Sequence, residues 1–363
     1  MITHPLTFAQ MSPVVRQKRV LALCLLLPCT LGLSLSAGAQ EATFITFDPP
    51  GSTGTQVNSI NPAGVVTGYY FEGNNSHGFV RSREGTFTTF DGPGAAFTLG
   101  TSINPTGAIT GSYFDASFVQ HGFLRSREGA FTTFDPPGST ATVPVGVNPE
   151  VAIAGYYTDP SGAQRGFLRA RDGTITSFDG PGSFFTILTS INPKGAITGY
   201  YSDVSGVAHG FLRTRDGIIE PFDVPGAIST IARSISPAGE ITGDYSYPNS
   251  FYSQGFLRAR DGTLETIKVP GSTYTLPTGI NPAGVIAGVY ADAKVVNHGF
   301  LRSSHGTFIA FDPPGSVDTF PTSINAAGVI VGNYHEASGI ERGFLRIPNH
   351  DEEGNSAKRR DEQ

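Results

Sequence analysis

A Gly-Phe pair returns along the chain at Gly78, Gly122, Gly166, Gly210, Gly255, Gly299 and Gly343, in steps of 44, 44, 44, 45, 44 and 44 residues. A fixed period of that length makes each repeat one supersecondary unit that cannot bury its apolar face alone. Neighbouring units must therefore stack to make a core. This constraint overrides the two or three ordinary domains that 363 residues would otherwise suggest. The 46 glycines and 26 prolines fall largely at fixed places within the period, as turn punctuation.

Each unit reads as four short strands. Ser102-Ile103-Asn104 ends the first and a Pro-x-Gly turn follows; Gly107 to Tyr113 has the β-branched, alternating character of a second strand, and Gly122 to Arg125 forms a third. An acidic residue and a glycine then turn the chain, as at Glu84-Gly85 and Asp172-Gly173. A two-residue hairpin at Glu84-Gly85 places Phe79 opposite Phe90 and Arg81 opposite Thr88, with apolar residues on both faces of the pair. Pro-Gly follows the fourth strand of each unit, from Pro50-Gly51 to Pro314-Gly315, and marks a tight connection onward.

The ends decide how the array terminates. The last Gly-Phe strand, 343–346, runs into Ile347-Pro348-Asn349, where a fourth strand is missing, and Phe44-Ile45-Thr46-Phe47-Asp48 is a fourth strand with no hairpin partner before it. Pairing 44–48 with 343–346 leaves no half-built edge. The expected fold is all-β: a seven-bladed β-propeller of 44-residue, four-stranded repeats over residues 40–346, closed by exchange of that strand. The polar stretch 347–363 is expected to be a disordered tail. Residues 1–39 read as a secretory signal peptide: Arg16, Lys18 and Arg19, an apolar run from Val20 to Leu35, and Ala37-Gly38-Ala39 at the cleavage site. The apolar run is short for a membrane span, and no other stretch competes with it.

With these motifs in hand, the pattern Ile-Asn-x-x-Gly-x-Ile-x-Gly-x-Tyr followed by His-Gly-Phe-Leu-Arg resembles the HAF-type extracellular repeat of secreted bacterial proteins, over about residues 44–346. The resemblance implies secretion and a β-propeller, and it brings no activity and no catalytic residues with it. Departures are Val151 for the turn glycine, Ser236 for Asn, Lys268 for Asp, and Arg165, Gln254 and Arg342 for His.

Positions kept in every unit read as structural, because a single site on a ring needs asymmetry. Arg81, Arg125, Arg169, Arg213, Arg258, Arg302 and Arg346 are expected to hold backbone carbonyls or an Asp of the same unit, an anion-binding ring being the functional alternative. Tyr70, Tyr113, Tyr157, Tyr201, Tyr245, Tyr290 and Tyr334 are expected to pack between units with the hydroxyl on a partner, a sugar-binding rim being the alternative. Asn61 and its equivalents read as Asx-turn formers. His77, His121, His209 and His298 share one position, too widely spread around a ring for a common zinc ion.

The asymmetric features are the candidates for binding. Asp244 to Tyr252 carries the one extra residue of the array and the aromatics Tyr245, Tyr247, Phe251 and Tyr252. His335-Glu336 is a second unusual pair, although neighbouring strand residues point to opposite faces and so make a poor acid–base dyad. Asp159 to Gly162 and Asp203 to Gly206 look like fragments of calcium loops that lack the remaining ligands. Gly-x-Ser-x-Gly, His-Glu-x-x-His and phosphate-loop motifs are absent, so no catalytic residue, metal ligand or cofactor is expected.

Removing residues 1–39 takes away three basic side chains and no acidic one, which carries the formal net charge from −6 to −9. An acidic surface argues against nucleic acid and against an anionic membrane. Both cysteines, Cys24 and Cys29, leave with the leader, so the mature chain is stabilised by packing alone. The leading expectation is a secreted, periplasmic or extracellular, non-catalytic monomer that binds a glycan or an extracellular protein through its loops. The rival is a carbohydrate-active or metal-dependent hydrolase or lyase with its site at the mouth of a central channel. The absence of Trp counts against sugar stacking.

Overall fold

The computed structural model describes residues 42–349; the leader expected at 1–39 and the polar stretch after Asn349 lie outside the described residues. Every regular element described is a β-strand, 28 in all. The first complete unit sets the pattern: Gly54–Ile60, Val66–Glu72, Asn75–Arg81 and Phe87–Phe90, each antiparallel to the one before. The same meander returns in residues 97–134, 141–178, 183–222, 229–267 and 274–311. These are units one to six. The seventh, 316–347, contributes three strands, and its outer position is filled by Thr43–Phe47, antiparallel to Glu341–Ile347 with Phe44 opposite Arg346 and Phe47 opposite Gly343. The expected exchange strand is therefore present, begins one residue early, and pairs Thr43 with Ile347, a residue the sequence had assigned to the tail.

The first strand of each unit touches the first strand of the next, and that of the seventh unit touches Gly54–Ile60. Fourth strands pair only with third strands. The first strand is thus innermost and the fourth outermost, an order the repeat pattern alone leaves open. The cores lie between units. Phe90 of unit one packs with Ile103, Ile109, Tyr113 and Phe123 of unit two, and one further cluster joins Phe47, Val57, Ile60, Val66 and Phe79 to Val331 and Leu345 of unit seven. Each cluster shields the face of one sheet with that of its neighbour, as stacked repeats require.

The turn between the third and fourth strands corrects the expected register. Instead of a two-residue hairpin, Ser82 N–H donates to Thr86 O at 2.8 Å and Gly85 N–H to Ser82 O at 3.0 Å, which encloses Arg83, Glu84 and Gly85. Gly85 has φ +96°, the left-handed region where a residue without Cβ is unstrained. One extra loop residue slides the pairing by one, so Gly78 faces Phe90, Phe79 faces Thr89 and Arg81 faces Phe87. Phe79 and Phe90 then serve opposite faces, Phe79 toward Phe47 and Phe90 toward unit two. This explains the Gly-Phe pair: a Cβ on Gly78 would lie 2.2 Å from the Phe90 ring, so only glycine lets that ring lie flat on the strand.

Candidate functional site

Antiparallel order sends the chain out on two faces. The turns between strands two and three share one face with the connections between units; we call it the connection face. The Asn-Pro-x-Gly turns and the turns between strands three and four emerge on the other, the turn face.

The repeated polar residues are spent on holding units together. Asn61 Oδ1 accepts from Ala63 N–H and Val65 N–H, each at 3.0 Å, which is the expected Asx-turn geometry. Its Nδ2 also donates to Asn104 O of the next unit at 3.2 Å, and Asn325 Nδ2 donates to Asn61 O at 3.2 Å. Arg81, Arg125, Arg169 and Arg213 each donate to the carbonyl of the next residue, as expected. The larger part of their environment is one the sequence reading missed: the guanidinium lies over a phenylalanine of the preceding outer strand, Arg81 over Phe47 and Arg125 over Phe90, at 4.9 and 5.0 Å. Arg346 lies over Phe311 at 5.2 Å, and Arg302 instead pairs with Glu265. Burial pushes the pKa of Arg81, Arg125, Arg169 and Arg213 down.

The shared histidine position is a clamp. His209 Nδ1 bonds Asp223 at 2.9 Å, its Nε2 lies 3.5 Å from Asp203, and its ring stacks on Tyr201 with centroids 5.0 Å apart. His77, His121 and His298 repeat the arrangement on Asp91, Asp135 and Asp312. Arg165 and Arg342 do the same work with a guanidinium: Arg342 joins Glu336 to Asp48, which links the last strand to the exchanged one. Burial works against charge on His209, yet bonds to Asp223 and Asp203 outweigh it and raise its pKa; His121 behaves alike through Asp135 and Asp115. Asp203 is held down to about 2, first by the Ser205 hydroxyl. The apparent calcium-loop fragments are such turns: Asp159 Oδ1 accepts from Ser161 N–H and Ala163 N–H.

Of the residues singled out for binding, Tyr245 is corrected. It lies inside the strand Ile241–Ser246, is 3% exposed, and its hydroxyl meets Thr266 at 3.0 Å, so it belongs with the packed tyrosines. Tyr247, Phe251 and Tyr252 are exposed, Phe251 almost wholly, and Tyr252 stacks beside Tyr274. His335 contacts the Phe320 ring and faces Glu341 across the sheet, whereas Glu336 is committed to Arg342. They are not a dyad.

The connection face carries a feature that no single motif announced. Apart from Ile45 and Ile218, every exposed large hydrophobic among the described residues lies there: Phe71, Phe118, Phe184, Phe251, Tyr247, Tyr252 and the aliphatics Val119, Val204, Ile228, Val295, Val317 and Ile340. Phe97, Phe114 and Phe118 form one aromatic group at this face, and Phe184, Phe185 and Tyr200 form another. The exposed residues come from every unit but the third, at loops and strand ends, so their convergence depends on the stacking of units and is invisible along the chain.

A cavity of about 160 Å³ is lined by residues from the first strands of all the units, chiefly the hydroxyls of Ser59, Ser102, Ser190 and Ser323 and the threonines between them. Each first strand has a register shift at this level, as between Val57 and Ser59, which turns an extra side chain inward. Arg233 is the charged residue of the lining, and it is ion-paired with the buried Asp244. Among the described residues no group of three or more His, Cys, Asp or Glu is placed to hold a metal ion.

No family model and no curated protein matches the chain. Among solved structures it is similar to the β-propeller domain of the Trilobed protease from Pyrococcus furiosus, which has an open velcro topology, at 8% identity and TM-score 0.60 over 81% of this chain and 96% of that one. It is similar to a catalytically inactive virginiamycin B lyase from Staphylococcus aureus at 14% identity and TM-score 0.54, over 85% of this chain and 100% of that one. A Pyrococcus horikoshii acylaminoacyl peptidase matches at 11% identity and TM-score 0.55, over 82% of this chain and 52% of the peptidase. At such identities the likeness establishes the fold alone, and that fold is an all-β chain of the β-propeller kind.

Proposed function

We propose that the chain closes as a seven-bladed ring of HAF-type repeats, is exported, and binds an extracellular protein through its connection face. Closure is supported by the pairing of Thr43–Phe47 with Glu341–Ile347 and by the core shared between units one and seven. The observation that carries the binding role is the concentration of exposed apolar side chains on one face. Single exposed hydrophobics are ordinary, whereas one face gathering nearly all of those described supports a docking surface. Val204, Val295 and Ile340 suit a protein better than a sugar, and rigid aromatics such as Phe118 and Phe251 are the usual anchors of interfaces.

The test is capture of a partner from secreted proteins by the full chain and by a triple variant, Phe118→Ser, Phe184→Ser and Phe251→Ser. All three are strongly exposed, so the variant should melt as the parent does and lose the partner. A partner retained in full by the triple variant rejects the reading, and binding of glycans alone replaces protein with sugar. A lyase or hydrolase centred on the inner cavity is a second reading, favoured by the single charge of Arg233 in a hydroxyl-lined space. It requires turnover that Arg233→Ala removes while partner capture persists.

A further inference from the structure

The groove between the first and second units, on the turn face, is lined by arginine without a carboxylate. It encloses about 290 Å³, close to the ~300 Å³ at which small-ligand pockets begin. Its walls are mainly apolar, from Val65, Val80, Ile103 and Pro105, and its charged residues are Arg125 and Arg127, with no Asp or Glu in the lining. Glu128 lines the neighbouring groove instead.

One position peculiar to unit one and one it shares with units two and three shape the groove. Thr132 and Thr176 match Thr88, and the neighbouring groove lined by Leu124 and Thr132 holds about 310 Å³, so what sets this groove apart is its lining rather than its size. Val80 stands where the six other units have leucine, as at Leu124 and Leu257, so the wall is cut back. Thr88 stands where unit five has Glu265: Val80 faces Thr88 across the outer strand pair as Leu257 faces Glu265. In the groove after unit five, Glu265 Oε1 accepts from Arg302 Nη2 at 2.5 Å, and Arg302 is the repeat equivalent of Arg125. The protein thus displays, in one groove, where a carboxylate sits on this arginine, and in another leaves that place without one, beside an apolar wall one methylene shorter than in the other units. Arg125 is 8% exposed, held by Phe90 at 5.0 Å and by the Ser126 carbonyl at 3.2 Å, so its position is fixed in advance.

We propose that this groove binds a small organic carboxylate with an apolar body. The carboxylate takes the place that the Glu265 side chain occupies in the related groove, against Arg125 and Arg127, and the body lies on Val65, Val80 and Ile103. The site is on the opposite face from the protein-docking surface, and its fate is independent of that surface.

Calorimetric titration of the full chain with benzoate, hexanoate and glucuronate, and with neutral benzamide, tests it. One equivalent of a carboxylate should bind, and benzamide should bind about tenfold more weakly or worse, since it lacks the charge-assisted contact. Val80→Leu should weaken binding by adding a methylene to the wall, and Thr88→Glu should abolish it by supplying an internal carboxylate. Both residues already occupy that position elsewhere in the array, so circular dichroism should be unchanged and partner capture unaffected. The proposal fails if neither benzoate nor hexanoate saturates the parent, if glucuronate, whose body is polar, or benzamide binds as well as benzoate, or if neither variant alters the affinity.

Discussion

His209 illustrates how much one side chain's role depends on partners that are distant in sequence. Its recurrence in the period marked it as structural, but Asp223 lies 14 residues on, and the stack on Tyr201 appears only once strands two and three pair. Its raised pKa has a definite consequence for stability. A histidine whose folded pKa exceeds its ordinary 6.5 contributes fully below that value and loses the contribution as pH climbs through the raised one. Gln254 fills the same position in unit five, so His209→Gln is tolerated by the architecture. The variant should be less stable than the parent by under about 1 kcal/mol at low pH, the pair being partly exposed to screening, and the gap should close at alkaline pH. Equal gaps in chemical denaturation at about pH 5.5 and about pH 8.5 would contradict this. The Asn positions were fully legible, since an Asx turn is local; their bonds to the next unit were not. Val151 was legible as an irregularity, and the structure finds it at φ +64°, a strained place for a β-branched residue.

At the level of strands, the sequence revealed four per unit and hid their register. Periodicity locates a strand to within a residue or two, whereas pairing turns on whether a loop holds two residues or three, and Glu84-Gly85 is compatible with both. The exchanged strand was legible because its motif is intact and its partner is missing. Phe47 is the side chain through which that strand acts: it packs edge-on to Phe79 at 6.4 Å, lies under the Arg81 guanidinium, and closes over Gly343. Phe47→Ala should therefore cost about 3–5 kcal/mol, the range for deleting a buried aromatic, with the loss seen at both the first and last units. Hydrogen exchange is the measurement that separates this from local fraying. Amides of Val57 and Leu345 should lose protection together, and protection retained at Leu345 would mean that the two ends are not held by this strand.

For the molecule as a whole, the apolar connection face was illegible for a simple reason: Phe118, Phe184 and Phe251 belong to units two, four and five, and a linear sequence does not say which strand ends share a face until the strand order is known. The array itself was legible because every unit repeats one answer to burial. If the proposed ring is real, the position of its break is arbitrary, and this can be tested by moving it. Thr43 faces Ile347 as Thr86 and Ser82 flank their turn, so the gap between Ile347 and Thr43 corresponds to Arg83-Glu84-Gly85. A circular permutant joining Ile347 to Thr43 through Arg-Glu-Gly, and opened between Gly94 and Ala95, replaces the exchanged strand by an ordinary hairpin and leaves unit one without a covalent link to unit two. Termini at exposed connections are well tolerated when the backbone bonds around them are few. The permutant should give the parent's β-sheet circular dichroism and melt no earlier than the parent, because the loop now covalently fixes a pairing that was previously closed only by contacts. A permutant that is soluble yet lacks β signal, or that melts far below the parent in a broad transition, would mean that the first and last units do not meet as the pairing of residues 43–47 with 343–347 requires.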